Sequence, residues 1–393
     1  MSNLLSQIWA VVTMNVLSLP RRLWMSLATV FAVAVVVAVL LSFLAMAHGF
    51  ETTLRNAGSD ATAIVISSRA ESEWSSDLSR DAINLLATAP GIAKDDVGEP
   101  IYSAELYVVV DGIKRSTQSA ANLPLRGLSR AGFELRDRVD IIKGRVFEPG
   151  RNEIIVGKGI LGEFDGFELG QPVRFGKSEW TVVGVFSTGG SAFESELWAD
   201  AASVQDQFRR GSTFNTMRIR LAEPGNVQPL VKFAKKDPRL RVEIETESDF
   251  FAAQGRALGA IVYFGWALSI IMGLGVLAGA LNTMYTSVAS RAAQIATLRA
   301  IGFRGFSAFV GTLAESVVLS IAGGIVGALC AYIFMDGVTT STLGASFTQV
   351  VFNLELSPSL LRNGVYLALA IGLVGGIFPA WRAARVPMRL AFR

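Results

Sequence analysis

The sequence is poor in the side chains that most often carry metal and redox chemistry: its 393 residues include one cysteine and one histidine. Because Cys330 is alone, an intrachain disulfide is excluded, and every domain must be held together by its own core. With His48 as the lone histidine, a histidine-based zinc cluster is excluded, and a Ser-His-Asp triad would need a residue at the end of a long apolar run. These absences argue against an enzyme and predict a chain that binds no metal.

Long uncharged runs are what the sequence has instead. Hydrophobic residues make up 51% of the chain and charged residues 18%, too apolar for an ordinary soluble domain and too polar for membrane spans alone. A span needs about 20 apolar residues. The segments that qualify are residues 23–47, 257–283, 305–335 and 363–381. We therefore predict a membrane protein with an α-helical four-span bundle and a large water-exposed domain.

Acidic residues are missing from one side of this predicted bundle. Four spans place residues 1–22, 284–304 and 382–393 on the same side, and these segments hold nine arginines and no Asp or Glu. By the positive-inside rule the three segments are cytoplasmic, so both termini are predicted to lie inside the cell. The middle one, residues 284–304, is named the interspan segment.

The first 47 residues allow two interpretations of the first span. Residues 1–22 predict an amphipathic helix at the cytoplasmic membrane surface, with Trp9 and Trp24 at headgroup level. The following span could be a cleaved signal peptide, because Ala45-Met46-Ala47 is typical of a cleavage site. Its apolar run is longer than the roughly 7–15 residues of a signal h-region, which favours a retained anchor.

Residues 48–256 predict an extracytoplasmic α+β domain inserted between spans one and two, because runs with a period of two alternate with helical runs. Residues 336–362, rich in Ser and Thr, are predicted to be an extracytoplasmic loop that caps the spans. The predicted strands are residues 62–67, 105–110, 153–156, 172–175, 180–186, 216–221 and 240–245. The predicted helices are residues 77–87, 199–208 and 227–237.

Two glycine motifs in this domain resemble nucleotide-binding loops but lack their context. Residues 157–162 match GxGxxG after a predicted strand, yet the chain reaches another turn at Asp165-Gly166 without a helix long enough for a βαβ unit. Gly176-Lys177-Ser178 has Gln171 where a P-loop needs its first glycine, and it leads into a strand. We predict a turn with a short helix at the first motif, a hairpin tip at the second, and no ATP site in the chain.

The interspan segment predicts a helix across residues 287–300. Its apolar positions fall at i, i+4, i+7 and i+10, on one stripe: Val288, Ala292, Ile295 and Leu298. Such a stripe can sit in a groove of a partner protein while Arg291 and Arg299 bind acids or carbonyls at the rim. Alternatively, the arginines set topology and contact anionic lipid.

The interspan segment and the end of the chain carry two specific patterns. The first comprises Asn282, Met284, Ser287, Val288, Arg291, Ile295, Leu298, Arg299, Ala300, Ile301 and Gly302, with Glu315 in the next span. The second comprises Gly372, Gly376, Pro379-Ala380, Arg382-Ala383-Ala384-Arg385 and Pro387. Both resemble the FtsX/MacB superfamily of ABC-transporter permeases, whose first signature runs roughly N-x-M-x-x-S-V-x-x-R-x-x-E-I-G-x-L-R-A-I-G. The chain departs from it at Gln294 and Ala296, where the family commonly has Glu and Gly.

The rest of the chain extends this resemblance. Gly170-Gln171 before residues 182–186 looks like the family's MacB-like periplasmic core domain. One span, a large external domain and three further spans is the family layout. The single-repeat length and residues 237–247 are most similar to permeases of DevC-type exporters.

The resemblance implies a non-catalytic permease subunit in the bacterial inner membrane. It would work as a homodimer with a cytosolic ABC ATPase dimer, which would bind the ATP and Mg, while this chain binds no cofactor. The interspan segment would be a coupling helix that relays ATPase closure to the periplasmic domains. The residues implied in coupling are Ser287, Arg291, Gln294, Ile295, Leu298, Arg299 and Gly302. If the family glutamate makes a charged contact, Gln294 keeps the hydrogen bonds and loses the charge.

Two roles remain open for the external domain. In an exporter it would pass substrate toward a periplasmic adaptor and an outer-membrane channel. In an FtsX-like regulator without transport it would activate a periplasmic partner such as a cell-wall hydrolase. Membrane lipid is a partner in either case, and no nucleic acid is expected.

Single residues inside or beside the spans also carry structural predictions. Glu315, well inside the third span, should face protein or water, and it either stabilises one state of the dimer or bonds a neighbouring helix at Asn282 or a Ser/Thr. Pro379 is predicted to kink or end the fourth span, which places Arg382 and Arg385 at the cytoplasmic rim. Recurrent glycines in spans two to four predict close helix packing.

Overall fold

The computed structural model describes residues 4–136, 138–257, 259–344 and 348–387, with the side chains of residues 21, 22, 257, 259 and 260 left out. Helix α1 (Leu4–Ser18) is followed by a 3-10 turn (Leu19–Arg22) and by α2 (Leu23–Arg55). Pro20 lies at the start of that turn, where a missing N–H is tolerated, and α1 ends before it because proline cannot donate the next helical hydrogen bond. Residues 1–3 and 258, together with Arg389 and Arg393 of the predicted tail, lie outside the described residues.

The large domain follows α2 and mixes strands with short helices. Its strands are β1 (Thr62–Ser67), β2 (Leu78–Ser79), β3 (Tyr102–Lys114), β4 (Ala120–Leu128), β5 (Asp140–Gly144), β6 (Glu153–Gly157), β7 (Phe164–Asp165), β8 (Pro172–Phe175), β9 (Ser178–Ser187), β10 (Leu197–Asp200), β11 (Thr213–Phe214), β12 (Thr216–Arg220) and β13 (Val242–Thr246). Its helices are α3 (Arg80–Leu86), α4 (Arg130–Glu134), α5 (Lys158–Glu163), α6 (Ala201–Gln207), α7 (Gln228–Lys236) and α8 (Glu247–Ala257), with a 3-10 turn at Ala192–Ser195.

The remaining elements are mostly long apolar helices. They are α9 (Gly259–Ser290), α10 (Ala292–Ala300), α11 (Gly305–Met335), the strands β14 (Thr339–Leu343) and β15 (Gln349–Asn353), and α12 (Pro358–Ala384). Among the described residues, four stretches are long and apolar enough to cross a membrane: Leu23–Arg55, Glu247–Ser290, Gly305–Met335 and Pro358–Ala384. The predicted four-span helical class with a large domain after the first span is confirmed.

The chain divides into two compact units. The membrane unit lies within Met1–Ala47, Gly259–Gly337 and Glu355–Arg393, and the large unit within His48–Leu258 and Val338–Leu354. Part of the predicted loop 336–362, residues 338–354, belongs to the large unit.

Within the described part of the large unit, eleven strands form one mixed sheet with the order β13-β1-β12-β3-β4-β10-β6-β9-β5, plus β7 on β3 and β8 on β9. Strand β3 joins two halves of this sheet, because Tyr102–Glu105 pair with β12 and Leu106–Ile113 pair with β4. Each half has its own apolar core. One core centres on Val65, Ile83 and Ile219, and the other on Leu125, Ile154 and Trp180.

The two glycine motifs adopt the predicted ordinary structures. Gly157 precedes the six-residue helix α5, and a Cβ at Gly157 would overlap the carbonyl of Glu194, so glycine is needed for close backbone approach. Gly176 has φ +59° at the tip of the β8–β9 hairpin. Both motifs are therefore structural turns.

Residues 338–354 of the segment predicted to cap the spans belong to the large unit. Strands β14 and β15 form an antiparallel hairpin. The hydroxyl groups of Tyr107 and Thr348 are 2.9 Å apart, and the Val351 amide donates to Ser195 Oγ at 2.8 Å. Val351 also lies in the apolar core with Leu125. The hairpin therefore packs on the large unit through the buried apolar residues of β15, and its role as a cap on the spans stays a prediction.

Charged side chains are buried between the two halves of the large unit. Glu105 accepts from Arg126 Nη1 at 3.0 Å and from Arg136 at 2.9 Å, and it also binds Arg218. Arg136 lies against the rings of Phe193 and Trp198, 4.7 and 5.0 Å from their centroids. The buried charge cluster comprises Glu73, Glu105, Arg126, Arg136, Glu196, Arg218 and Glu247.

Burial and charge act in opposite directions on the pKa values of this cluster. Burial raises the pKa of Glu73, but the charges of Arg126 and Arg218 outweigh it and lower the pKa to about 2. Burial also opposes ionisation of Glu105, yet the surrounding guanidiniums hold its pKa well below the ordinary value. For Glu247 burial wins, and its pKa is raised despite Arg218 and Arg136.

Glycines in the membrane unit lie where helices approach closely. Ser316 Oγ donates to the Gly372 carbonyl at 2.9 Å, and a Cβ at Gly327 would overlap the backbone of Ala34 on α2. Gly275 and Gly279 on α9 differ, because a Cβ at either position would meet open space. The predicted close packing is seen for glycines of α11 and α12, whereas Gly275 and Gly279 of α9 have no neighbour within 4 Å in the part of the chain that the structure describes.

Candidate functional site

The interspan segment forms two helices that meet at Arg291. Helix α9 continues to Ser290, past the predicted end of the second span, and α10 begins at Ala292. Arg291 itself has φ −104° and ψ 5°, and its amide donates to Val288 at 3.2 Å, so the helix bends there. The predicted single helix across 287–300 is thus divided by a turn.

Gly302 ends α10 for a clear backbone reason. Its φ is +105°, a conformation that side chains disfavour. The Gly302 amide donates to Arg299 at 3.2 Å and the Phe303 amide donates to Leu298 at 3.0 Å. This pair of bonds is the Schellman arrangement that satisfies the last carbonyls of a helix. Gly302 thus sets the length of α10.

Arg291 and Glu315 form a buried ion pair. Arg291 Nη2 donates to Glu315 Oε1 at 2.6 Å and Oε2 at 2.5 Å, and to Ser287 Oγ at 3.0 Å. Arg291 is 7% exposed and Glu315 is 3% exposed. Arg291 was predicted at the rim of a partner contact, and that placement is corrected: its guanidinium points inward, because the buried carboxylate of α11 needs a counter-charge.

Asn282 does not supply the partner expected for Glu315. Asn282 is exposed on α9, and its carbonyl accepts from Thr286 at 2.9 Å, one helical turn on. Within the described residues the hydrogen-bond partner of Glu315 is Arg291.

Helix α1 contributes polar side chains to the same place. Asn15 Oδ1 accepts from Arg291 Nη1 at 3.0 Å, and Ser18 Oγ accepts from it at 3.3 Å. Gln7 donates to the Gly302 carbonyl at 3.5 Å and accepts from the Arg304 amide at 3.2 Å. Sequence reasoning missed these residues. The available signal was the four-residue spacing of Gln7, Val11 and Asn15 in an apolar helix.

The outer side of α1 is apolar and open. Leu5, Trp9 and Leu17 are 78%, 74% and 72% exposed, whereas Gln7 and Asn15 are buried. A helix that turns amide groups inward and large apolar groups outward suits contact with lipid. This arrangement agrees with the predicted amphipathic helix, whose position at the membrane surface remains a prediction.

The apolar stripe of the interspan segment faces its own chain. Val288 is 4% exposed, and Ile295 and Leu298 are half-buried, lining a small cleft with Val11 and Met14 of α1. Helix α1 therefore covers part of the stripe that was predicted to sit in a groove of a partner protein. Ala296, which was not predicted, is fully buried.

Other predicted residues lie at the surface of α10 and around it. Gln294 is exposed, together with Ala293, Thr297 and Ala300. Arg299 is half-exposed and donates to the carbonyl of Val386. Arg382 lies 5.4 Å from the Tyr285 ring centroid and Arg385 lies 4.8 Å from that of Trp381. The exposed side chains of α10 therefore form a small surface patch, and Arg299 lies beside it.

No group of three or more His, Cys, Asp or Glu side chains that could hold a metal ion occurs in the described part of the chain. What the site offers instead is a short surface helix joined by buried polar bonds to α1 and α11.

Four membrane-length stretches, a large mixed-sheet domain after the first and a basic helical segment between the second and third define a multi-pass permease subunit. Two family descriptions match: the MacB-like periplasmic core domain at residues 26–234 and the FtsX-like permease C-terminal domain at residues 266–388. The chain belongs to the FtsX/MacB family of ABC-transporter permeases, and it is accordingly a multi-pass inner-membrane protein.

Similar curated proteins carry the name macrolide export ATP-binding/permease protein MacB. That of Neisseria meningitidis serogroup A is 26% identical over 238 residues, 56% of this chain and 35% of the relative. That of Paracoccus denitrificans is 25% identical over 299 residues, 69% of this chain and 42% of the relative. The chain therefore spans less than half the length of these relatives.

Solved structures also show likeness to the large unit. The periplasmic region of MacB from Actinobacillus actinomycetemcomitans matches with a TM-score of 0.37 and 14% identity, covering 50% of this chain and 92% of that one. The extracellular domain of the ABC-type transporter YknZ from Gram-positive bacteria matches with a TM-score of 0.35 and 15% identity, covering 47% of this chain and all of that one.

Proposed function

We propose that this chain is the permease and mechanotransmission subunit of an ATP-driven export complex. A cytosolic ABC ATPase dimer, carried on a separate polypeptide that binds ATP and Mg, contacts the exposed face of α10. The observation that supports this most is the construction of the interspan segment. Gln294 and Thr297 are exposed on the short helix α10, and Arg291 at its start makes buried hydrogen bonds to α1 and α11.

The geometry of α9 supports transmission away from α10. Helix α9 has 32 residues, a length of about 48 Å at 1.5 Å per residue. Helices of this kind move as stiff bodies, so a displacement at Ser290 is carried along the whole of α9. Along the chain, α8 precedes α9 and begins at Glu247, a member of the buried charge cluster. We infer that the displacement reaches the large unit along the chain, through α8.

The assembly we propose contains two copies of this chain and one ATPase dimer. Both termini and the interspan segment lie in the cytoplasm, as the arginine distribution predicts. The large unit is periplasmic and faces an adaptor and an outer-membrane channel. The names of the MacB relatives, which combine export with ATP binding, support an export role over a purely regulatory one.

The exposed face of α10 provides the direct test. Thr297→Trp places a large ring on that face, and we expect it to abolish copurification with the ATPase or to lower its stimulated activity about tenfold, because a contact helix cannot dock around it. ATPase activity of the reconstituted complex in nanodiscs is the measurement. Thr117→Trp, on an exposed loop of the large unit, is the matched control. Full stimulation by both variants would refute α10 as the ATPase contact.

A further inference from the structure

We propose that Arg291 is a positioning residue that joins α10 to α11 and to α1, so that α1 moves with α10 as part of the coupling element. This inference rests on the proposed function of α10. It assigns Arg291 a role inside the chain, through Glu315 and Asn15, instead of a direct contact with the ATPase.

Both terminal nitrogens of the Arg291 guanidinium donate hydrogen bonds within its own chain. Nη1 serves Asn15 and Ser18, while Nη2 serves Ser287 and both oxygens of Glu315. With the whole residue 7% exposed, a partner protein has little of it to contact. Arg299 and Gln294, by contrast, reach the surface. The ATPase-facing role therefore falls to those residues, and Arg291 holds the segment on which they stand.

Helix α1 is bonded to both ends of α10. Asn15 meets Arg291, directly before α10 begins, and Gln7 meets Gly302 and Arg304, directly after it ends. The later residue of α1 meets the earlier end of α10, so the two helices run antiparallel. Gln7 and Asn15 are eight residues apart, or about 12 Å along a helix. This distance is close to the length of the nine-residue α10, about 14 Å.

Close packing joins α1 to α11 between these two polar contacts. Val11 is buried, and Gly311 of α11 lies so near it that a Cβ there would come within 2.5 Å of Val11 Cγ1. Because α1 is fixed to α11 at its middle and to α10 at both ends, the three helices form one mechanical element. Movement of α10 without α1 would break the hydrogen bonds made by the side-chain amides of Gln7 and Asn15.

The charge pair allows a test that separates positioning from direct contact. Arg291→Gln and Glu315→Gln each leave one buried charge without its partner, whereas the double variant removes both charges. We expect each single variant to lower ATPase stimulation about tenfold and the double variant to recover to within about threefold of the unaltered protein. Arg130→Gln, which removes an exposed arginine of the large unit paired with Glu134 at 3.6 Å, is the matched control and should retain stimulation.

Each variant is assayed in the full reconstituted complex, with copurification of the ATPase and the unfolding temperature measured beside stimulation. A folded, assembled double variant as inactive as Arg291→Gln would overturn the positioning role, since a direct ATPase contact is not restored by neutralising Glu315. Failure of the proposed function gives a different result. If α10 does not contact the ATPase, the exposed-face variant Thr297→Trp keeps full stimulation.

The role of α1 has its own variants. Asn15→Leu and Gln7→Leu remove the two amide contacts, and we expect the pair together to lower stimulation while the ATPase still copurifies, because the docking face of α10 is untouched. Ala10→Leu, on the exposed side of α1, is the control for added apolar surface. Unchanged stimulation in a folded Gln7→Leu/Asn15→Leu protein would exclude α1 from the coupling element.

Discussion

Glu105 is the residue on which the buried charge cluster converges. Its carboxylate, with no exposed surface, binds Arg126, Arg136 and Arg218 from three different parts of the large unit. These partners come from β4, the turn after α4 and β12, so a single side chain connects both halves of the sheet. Buried guanidiniums tolerate the interior only because such acceptors are present.

We expect Glu105→Gln to destabilise the large unit by about 3–5 kcal/mol, because it leaves three buried guanidiniums short of one negative charge. The measurement is the denaturant midpoint of the purified full chain, followed by proteolysis within the large unit. Glu168→Gln is the matched control, because Glu168 binds Arg115 at 3.4 Å with its side chain 56% exposed. Equal midpoints for the two variants would show that the cluster contributes nothing to stability.

At the scale of secondary-structure elements, the sequence predicted what depends on periodicity and missed what depends on pairing. Strand β1 and strand β8 were predicted with their observed bounds, because alternation and turn residues mark them. Strand β4 was missed, since Pro124 and Arg126 are unusual in a buried strand. Arg126 is buried there because acids distant in sequence surround it, and no local pattern encodes that arrangement.

The interspan segment shows the same division. The helix end at Ala300 and the basic character of the interspan segment follow from local sequence, and both were predicted. The pairing of Arg291 with Glu315 joins residues 24 positions apart and depends on how α10 turns back onto α11. The contact with Asn15 spans 276 positions, which periodicity cannot register.

Packing between α2 and α11 gives a prediction for whole helices. Gly327→Leu puts a side chain against the backbone of Ala34, so the helices must separate, and we expect a loss of about 1–3 kcal/mol. Gly275→Leu makes the same change on α9, where a Cβ meets open space. Unfolding temperatures of the two variants in detergent provide the comparison. A Gly327→Leu protein as stable as Gly275→Leu would rule out close α2–α11 contact.

At the scale of the whole molecule, acidic side chains are distributed very unevenly. Of the 33 Asp and Glu residues, only Glu315, Asp336 and Glu355 fall in the membrane unit. Acidification therefore acts almost entirely on the large unit, and within it the buried charge cluster has the most perturbed carboxylates. The two units should consequently respond differently to a fall in pH.

The sign of that response follows from the shifted pKa values. Glu73 has a folded pKa of about 2 and that of Glu105 is also lowered, so their stabilisation is present above the ordinary value of 4.5 and is lost as the pH falls toward 2. Glu247, with a raised pKa, acts in the opposite sense: its contribution is present below 4.5 and is lost as the pH rises through the raised value. Within the buried charge cluster two carboxylates have a lowered pKa and one has a raised pKa, so we expect a net loss of stability between pH 4.5 and 2.

Hydrogen exchange in the full chain can resolve this response. Protein held at pH 6, 4.5, 3.5 and 2.5 in mild denaturant receives a brief labelling pulse at one fixed pH, so that intrinsic exchange chemistry is the same for every sample. We expect peptides of β3, β4 and β12 to lose protection below pH 4.5, while peptides of α11 and α12 keep theirs. Glu73→Gln should flatten the dependence, because its neutral side chain no longer titrates. An equal loss of exchange protection in both units would show that acid does not act through the buried charge cluster.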